Sequence, residues 1–141
     1  MQQTILVVED NAVTLASLSF FLRERGYFVV QATDGAQALK LLQGGLKFDA
    51  VLSDISLPGI DGYHILQHVR SSSPNTPVIL MSGNFTLGCP SIPEGGADAY
   101  VLKPLNLENL LQKISTALAE RAARVAASSV RSRLGRPKPV M

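Results

Sequence analysis

Five short apolar runs punctuate the chain, and the intervals that follow most of them carry helical spacing. Ile5-Leu6-Val7-Val8 is rich in β-branched residues and stops abruptly at Glu9-Asp10, the pattern of a strand buried on both faces. Similar runs occupy Tyr27 to Ala32, Ala50 to Ser53, Val78 to Met81 and Tyr100 to Leu102. Val13, Leu15, Leu18, Phe21 and Leu22, followed by Gly26 as a C-cap, predict a helix over Asn11 to Arg25. Ala36, Leu39, Leu41 and Leu42 before Gly44-Gly45 predict a second. Tyr63, Ile65, Leu66 and Val69, closed by Ser71-Ser72-Ser73-Pro74, predict a third. Asn106 can cap the last, which carries Leu107, Leu110, Leu111, Ile114 and Leu118 on one face. Strands with no wet face, alternating with helices, imply an α/β layer sandwich around a five-stranded parallel sheet. The crossing between the fourth and fifth strands is the exception. Gly83 to Ala97 holds four glycines and two prolines, so a loop with at most a turn or two of helix is expected.

Length and composition narrow the class. At 141 residues, 46% hydrophobic and 17% charged, the chain suits one globular core and is too apolar for a disordered one. No stretch approaches the roughly 20 apolar residues of a membrane helix. Met1-Gln2-Gln3 leads directly into the first strand, with no basic region and cleavable apolar stretch, so a cytoplasmic protein is expected. The single Cys89 cannot form an internal disulfide and reads as inert. The net charge of +2 conceals an asymmetry. Residues 1–118 hold 7 Lys/Arg against 10 Asp/Glu, whereas residues 119–141 hold 6 against 1. An acidic domain over 1–118 and a basic extension over 119–141, helical to about Ala127 and then disordered, are therefore expected.

Chemistry enters at the strand ends. In an open parallel sheet, ligands bind beyond the carboxyl ends of the strands, where the strand order reverses. With a doubly wound, flavodoxin-like order 2-1-3-4-5, that reversal brings together Glu9 and Asp10 from the first strand and Asp54 from the third. Ser82 ends the fourth strand, and the fifth runs into Lys103. Three carboxylates in one crevice repel unless a cation joins them. Mg²⁺ suits a site with few carboxylates because it keeps several waters. With that ion and Lys103 the site is neutral and can accept a phosphoryl group. The metal, Lys103 and Ser82 are then the donors for the oxygens of a phosphoryl group attacked by Asp54.

Ordered motifs carry a resemblance over residues 4 to 118. They are Ile5 to Asn11, Asp34-Gly35-Ala36-Gln37-Ala38-Leu39, Ser53 to Gly62, Ile79-Leu80-Met81-Ser82-Gly83 and Gly96 to Pro104. Together they resemble the receiver domain of the bacterial two-component response regulators. The resemblance implies that Asp54 is the phosphoacceptor, charged from the phosphohistidine of a sensor histidine kinase or phosphotransfer protein. It implies that Glu9, Asp10, Asp54 and the Ser56 backbone carbonyl hold Mg²⁺, and that Ser82 and Lys103 bind the phosphoryl oxygens. Tyr100 matches the family's switch aromatic, and Lys103-Pro104 matches a cis bond. Two departures stand out: the family's fourth helix falls in the Gly/Pro-rich crossing, and Ser56 and Asn84 fill positions that modulate dephosphorylation.

Other readings stay in view. A phosphohydrolase with an aspartyl-phosphate intermediate needs Asp-x-Asp, and Asp54-Ile55-Ser56 lacks the second acid. A phosphorylation-independent interaction module is the third class. His64 and His68, at i and i+4, have no evident third ligand and read as surface histidines. Asp61 reads as a turn residue. The basic tail can touch nucleic acid or an acidic partner, but it has no aromatics and no helix-turn-helix, so specific DNA reading is not expected. The 23 residues after 118 are too few for an output domain. A downstream protein reached by contact, no membrane and a monomer or weak homodimer complete the expectation.

Overall fold

The first strand explains the layering. In β1 (Thr4–Val8), Ile5 and Val7 point to one face of the sheet and Leu6 and Val8 to the other, and all four are fully buried. A strand apolar on both faces needs a helix layer on each. The computed structural model supplies them, and it describes residues 2–83 and 96–133, with side chains to Ala127. After β1 come α1 (Ala12–Glu24), β2 (Phe28–Ala32), α2 (Gly35–Gln43), β3 (Ala50–Asp54), α3 (Gly62–Ser72), β4 (Val78–Ser82), β5 (Ala99–Leu102) and α4 (Leu107–Arg133). The five strands are parallel in the order β2-β1-β3-β4-β5. This is the doubly wound, flavodoxin-like sheet that the alternating pattern predicts.

One face packs Leu15, Leu18 and Leu22 of α1 and Leu110, Ile114 and Leu118 of α4 against Ile5, Val7, Leu52, Ile79 and Met81. The other packs Ile65, Leu66 and Val69 of α3 and Ala38 of α2 against Leu6, Val8, Val51 and Leu80. Each such burial contributes about 1.5–3 kcal/mol, so the two layers, and not helix propensity, hold the sandwich together. Capping fixes where the helices begin. Asn11, Asp34 and Asp61 each accept a hydrogen bond from the backbone N–H three residues on, at Thr14, Gln37 and His64. In α3 the cap is reciprocal, because the His64 ring returns to the Asp61 backbone.

Three findings depart from or extend the sequence expectation. Val13 belongs to the apolar series of the first helix, yet it lies 75% exposed on the side of α1 away from the sheet. Only the i, i+3, i+4 set of Leu15, Leu18, Ser19 and Leu22 is buried. Second, α4 crosses residue 118 without a break and continues past Ala127 to Arg133. Third, the extension touches the domain through charge: Arg121 Nη1 lies 3.1 Å from Asp49 Oδ1, and Arg124 Nη2 lies 3.8 Å from Asp98 Oδ1. The irregular crossing, with the family's fourth helix, Asn84 and Cys89, falls on residues 84–95, outside the described residues, as does 134–141.

Candidate functional site

The carboxyl ends of β1, β3, β4 and β5 form one edge, and the sequence places chemistry at each. β1 is followed by Glu9, whose N–H donates to Ala32 O at 3.1 Å and so extends the ladder by one residue. The Glu9 side chain is therefore carried inward, and it is 1% exposed. Asp10 is next in sequence and exposed. Asp54 is the last residue of β3 and is buried. One carboxylate oxygen from each of the three lies within 4.8 Å of the others. Gly62, at the start of α3, closes the wall behind Asp54. A Cβ there would sit 2.6 Å from the Asp54 carbonyl oxygen, so only glycine lets the helix approach.

Lys103 is the cation among these acids. Its N–H donates to Ser82 O at 2.8 Å, which ties it to the end of β4, and its peptide bond to Pro104 is cis. The ammonium lies 3.1 and 2.9 Å from Glu9 Oε1 and Oε2 and 2.9 Å from Asp54 Oδ2. The second Asp54 oxygen accepts from the Ser56 N–H at 3.1 Å, and Glu9 Oε1 accepts from the Asn11 N–H at 3.3 Å. Burial pushes the Glu9 carboxyl above its ordinary value, and the nearby Asp54 charge adds to this, against the pull of Lys103 and the Asn11 N–H. Burial alone would lower the Lys103 ammonium. Its hydrogen bonds to Asp54 and Glu9, with their charges, outweigh that and raise it above the ordinary lysine value. Lys103 is thus held charged, and it pairs with two of the three acids.

Ser82 is buried at the end of β4, opposite Leu102 in the β4–β5 register. Tyr100 is two residues earlier on β5, opposite Leu80, and half-buried against the core that underlies α2 and α3. The sequence-derived set of Glu9, Asp10, Asp54, Ser82 and Lys103 therefore converges on one edge, with Tyr100 behind it. The histidine pair does not join it. His64 Nδ1 lies 2.9 Å from Asp61 Oδ1 at the start of α3, and among the described residues no third acid, cysteine or histidine stands close enough to complete an ion site there. The sequence reading did not single out two exposed apolar side chains close in sequence to site residues. Val13 on the first turn of α1 and Leu102 just before Lys103 are 75% and 55% exposed.

Sequence comparison identifies the family. Residues 5–115 match the family model described as the response regulator receiver domain. The chain belongs to that family. Receivers of this kind are signalling switches and not enzymes in the ordinary sense. Among curated relatives, this receiver is 38% identical over 112 residues to the transcriptional regulatory protein TcrA of Mycobacterium tuberculosis, covering 78% of this chain and 44% of that protein. It is 33% identical over 126 residues to PrrA of the same species, covering 89% and 54%. The chain thus spans about half the length of these relatives. Among solved structures, a CheY-like receiver from Methanospirillum hungatei superimposes with a TM-score of 0.80 at 30% identity, covering 88% of this chain and 99% of that one. The receiver of an HD-domain protein from Pseudomonas fluorescens gives 0.79 at 31% identity, covering 87% and 99%. The acidic group of Glu9, Asp10 and Asp54 could hold a metal ion. No helix among the described residues is long and apolar enough to cross a membrane.

Proposed function

We propose that this receiver accepts a phosphoryl group on Asp54 from a phosphohistidine of a sensor kinase or phosphotransfer protein, with Mg²⁺ bound, and that the phosphorylated form changes its protein contacts. The observation that carries the reading is the triple contact of Lys103, whose ammonium touches Glu9 and Asp54 together while three carboxylates crowd around it. A site with an excess of negative charge and oxygen ligands only fits a hard divalent ion better than a transition metal. Glu9, Asp10, Asp54 and the Ser56 carbonyl are the residues that would hold it. The ion, when bound, supplies the charge that lets a phosphoryl group enter.

The chain's own groups do the rest. An Asp54 carboxylate oxygen attacks phosphorus in line. The P–N bond breaks and its electron pair returns to the imidazole nitrogen, which leaves neutral when the other ring nitrogen carries a proton. Lys103, already beside Asp54 and held charged, moves its hydrogen bond onto a phosphoryl oxygen, and the Ser82 hydroxyl donates to another. Drawing Ser82 toward the phosphoryl group shifts the end of β4 against β5. Tyr100 then adopts a second packing, which makes it the switch residue of a two-state equilibrium. A cytoplasmic location and a protein partner downstream belong to the same reading.

Incubation with acetyl phosphate and Mg²⁺, followed by intact mass measurement, tests the proposal. The wild type gains one phosphoryl group, Asp54→Ala gains none, and chelation with EDTA abolishes the gain. A wild-type mass unchanged by acetyl phosphate and phosphoramidate alike overturns it.

A further inference from the structure

The end of the sheet opposite Asp54 holds a recess that the phosphoryl chemistry does not use. It lies between the α2–β3 and α3–β4 connections, before the strands that Asp54 and Ser82 end, and its volume is about 380 Å³. Small-molecule sites typically measure roughly 300–1,000 Å³. Leu42, Phe48 and Val69 give the recess an apolar floor, and Phe48 and Val69 are buried. Gly44 and Gly45 form part of its wall. A Cβ on Gly45 would meet no atom within 4 Å, so that side stays open.

Thr76 is the residue in the recess whose chemistry the fold leaves unused. It lines the recess and is 7% exposed. Its N–H donates to Ser73 O at 2.9 Å and its carbonyl accepts from Arg70 Nη1 at 3.0 Å, so both backbone groups are satisfied. Its hydroxyl has no hydrogen-bond partner among the described residues, yet it is not sealed from solvent. It is a donor and acceptor that an occupant of the recess, and no described group of the chain, engages.

The charged side chains around Thr76 have one sign. No Asp or Glu lines the recess, whereas Lys47 and Arg121 do. Lys47 is exposed and makes no ion pair among the described residues. Arg121 meets Asp49 through Nη1, which leaves the N–H groups of Nε and Nη2 without a partner among the described residues. The ends of α2 and α3 also reach this recess, and a helix C-terminus repels anions. Both ends are moderated, because the cap N–H groups of Gly44 and Ser73 return to Leu41 O and Val69 O, and Lys40 and Arg70 stand in the last turns. With Arg121 offset by Asp49, about one positive charge remains, that of Lys47. It matches a monoanion and leaves a dianion such as a phosphate ester half compensated.

We propose that this recess binds a small organic monocarboxylate, its apolar body against Leu42, Phe48 and Val69 and its carboxylate accepting from the Thr76 hydroxyl and Lys47, with Arg121 beside it. The site is separate from the phosphoryl chemistry at Asp54. Titration of the ¹⁵N-labelled full chain with 3-phenylpropionate, followed through the amide NMR signals, is the test. At the efficiency of drug-sized ligands, about eleven non-hydrogen atoms give a Kd of about 4 mM or tighter. Saturable shifts are expected at Gly44, Gly45, Phe48 and Thr76, with several-fold weaker binding of 3-phenylpropanol and of 3-phenylpropylammonium. Thr76→Val should weaken binding about tenfold, as for a hydrogen bond to a charged group, without lowering Tm, because no partner in the chain loses a bond. Lys47→Gln should weaken it about fivefold, the worth of an exposed ion pair. No saturable shift, shifts centred elsewhere, equal binding of the alcohol or the amine, a lower Tm in Thr76→Val, or affinity unchanged in both variants overturns the proposal. Tighter binding of 2-phenylethyl phosphate, or of an acetylated peptide ending in leucine, overturns it as well, in favour of a dianion or of a partner's chain end.

Discussion

The two ends of this sheet use the same residue types to opposite effect. At the carboxyl end, Glu9 and Asp54 share one lysine while Asp10 stands beside them, so negative charge remains in excess. At the amino end, Asp49 and Asp98 each precede a strand, and each accepts the first N–H of the neighbouring strand: Asp49 from Thr4 at 2.7 Å, Asp98 from Val78 at 2.8 Å. Each is also neutralised by arginine, Asp49 by Arg121 and Asp98 by Arg70 and Arg124. Arg70 further binds the carbonyls of Thr76 and Gly96, so one guanidinium ties α3 to the entries of β4 and β5. A carboxylate whose partners lie within the chain is a structural clamp. A cluster whose partners fall short keeps an excess of negative charge that a cation could offset.

The sharpest way to break this comparison is to remove a clamp. Asp98→Ala leaves Arg70 partly buried without its carboxylate and frees the Val78 N–H, and it should cost about 3 kcal/mol in urea unfolding. Asp49 is more exposed, at 34% against 14%, so Asp49→Ala should cost about 1.5 kcal/mol. Equal or negligible losses would erase the distinction between the two ends.

The opposite sign is expected at the site. Asp10→Asn relieves repulsion and contributes no internal bond that is lost, so it should stabilise the metal-free receiver by about 1 kcal/mol. The same change should remove most of the rise in Tm that millimolar Mg²⁺ gives the wild type. A destabilised variant, or one with an undiminished Mg²⁺ response, contradicts the reading of Asp10.

The smallest effect is a pH slope. Because the folded Glu9 carboxyl is raised above its ordinary 4.5, the folded state binds that proton more tightly than the unfolded one. The stability Glu9 contributes is complete below 4.5 and is lost as pH rises through the higher folded value. Metal-free wild type should therefore gain stability relative to Glu9→Gln as pH falls from 7 toward 5, with chemical denaturation at each pH as the measurement. Parallel curves for the two proteins would remove burial as the dominant influence on Glu9.

Much of this arrangement is legible in the sequence. Fully apolar runs such as Ile5-Leu6-Val7-Val8 require helices on both sides, and the acids or lysine that end them must lie at one edge of a parallel sheet. That logic reaches Glu9, Asp10, Asp54, Ser82 and Lys103 directly. The amino end was less readable, although an aspartate followed by alanine marks the start of both β3 and β5. An aspartate before a strand is common, and nothing local says which distant arginine it will meet. Arg121 and Arg124 read as part of a separate basic tail because charge counting along a chain is blind to partners 72 and 26 residues away. Val13 belongs to a helix as its series predicts, but apolar spacing does not say which side of a helix turns to the sheet.

The sequence by itself therefore determined the alternation of strand and helix, the parallel sheet, and which side chains stand at its carboxyl edge. These follow from local periodicity and from where apolar runs stop. The tertiary structure alone decided how charge is shared: that Lys103 spans Glu9 and Asp54, that Asp49 and Asp98 draw in arginines from α3 and α4, and that the basic extension is anchored at the end of the sheet opposite the acidic cluster. Coulomb interactions act through space, and only the folded chain sets those distances.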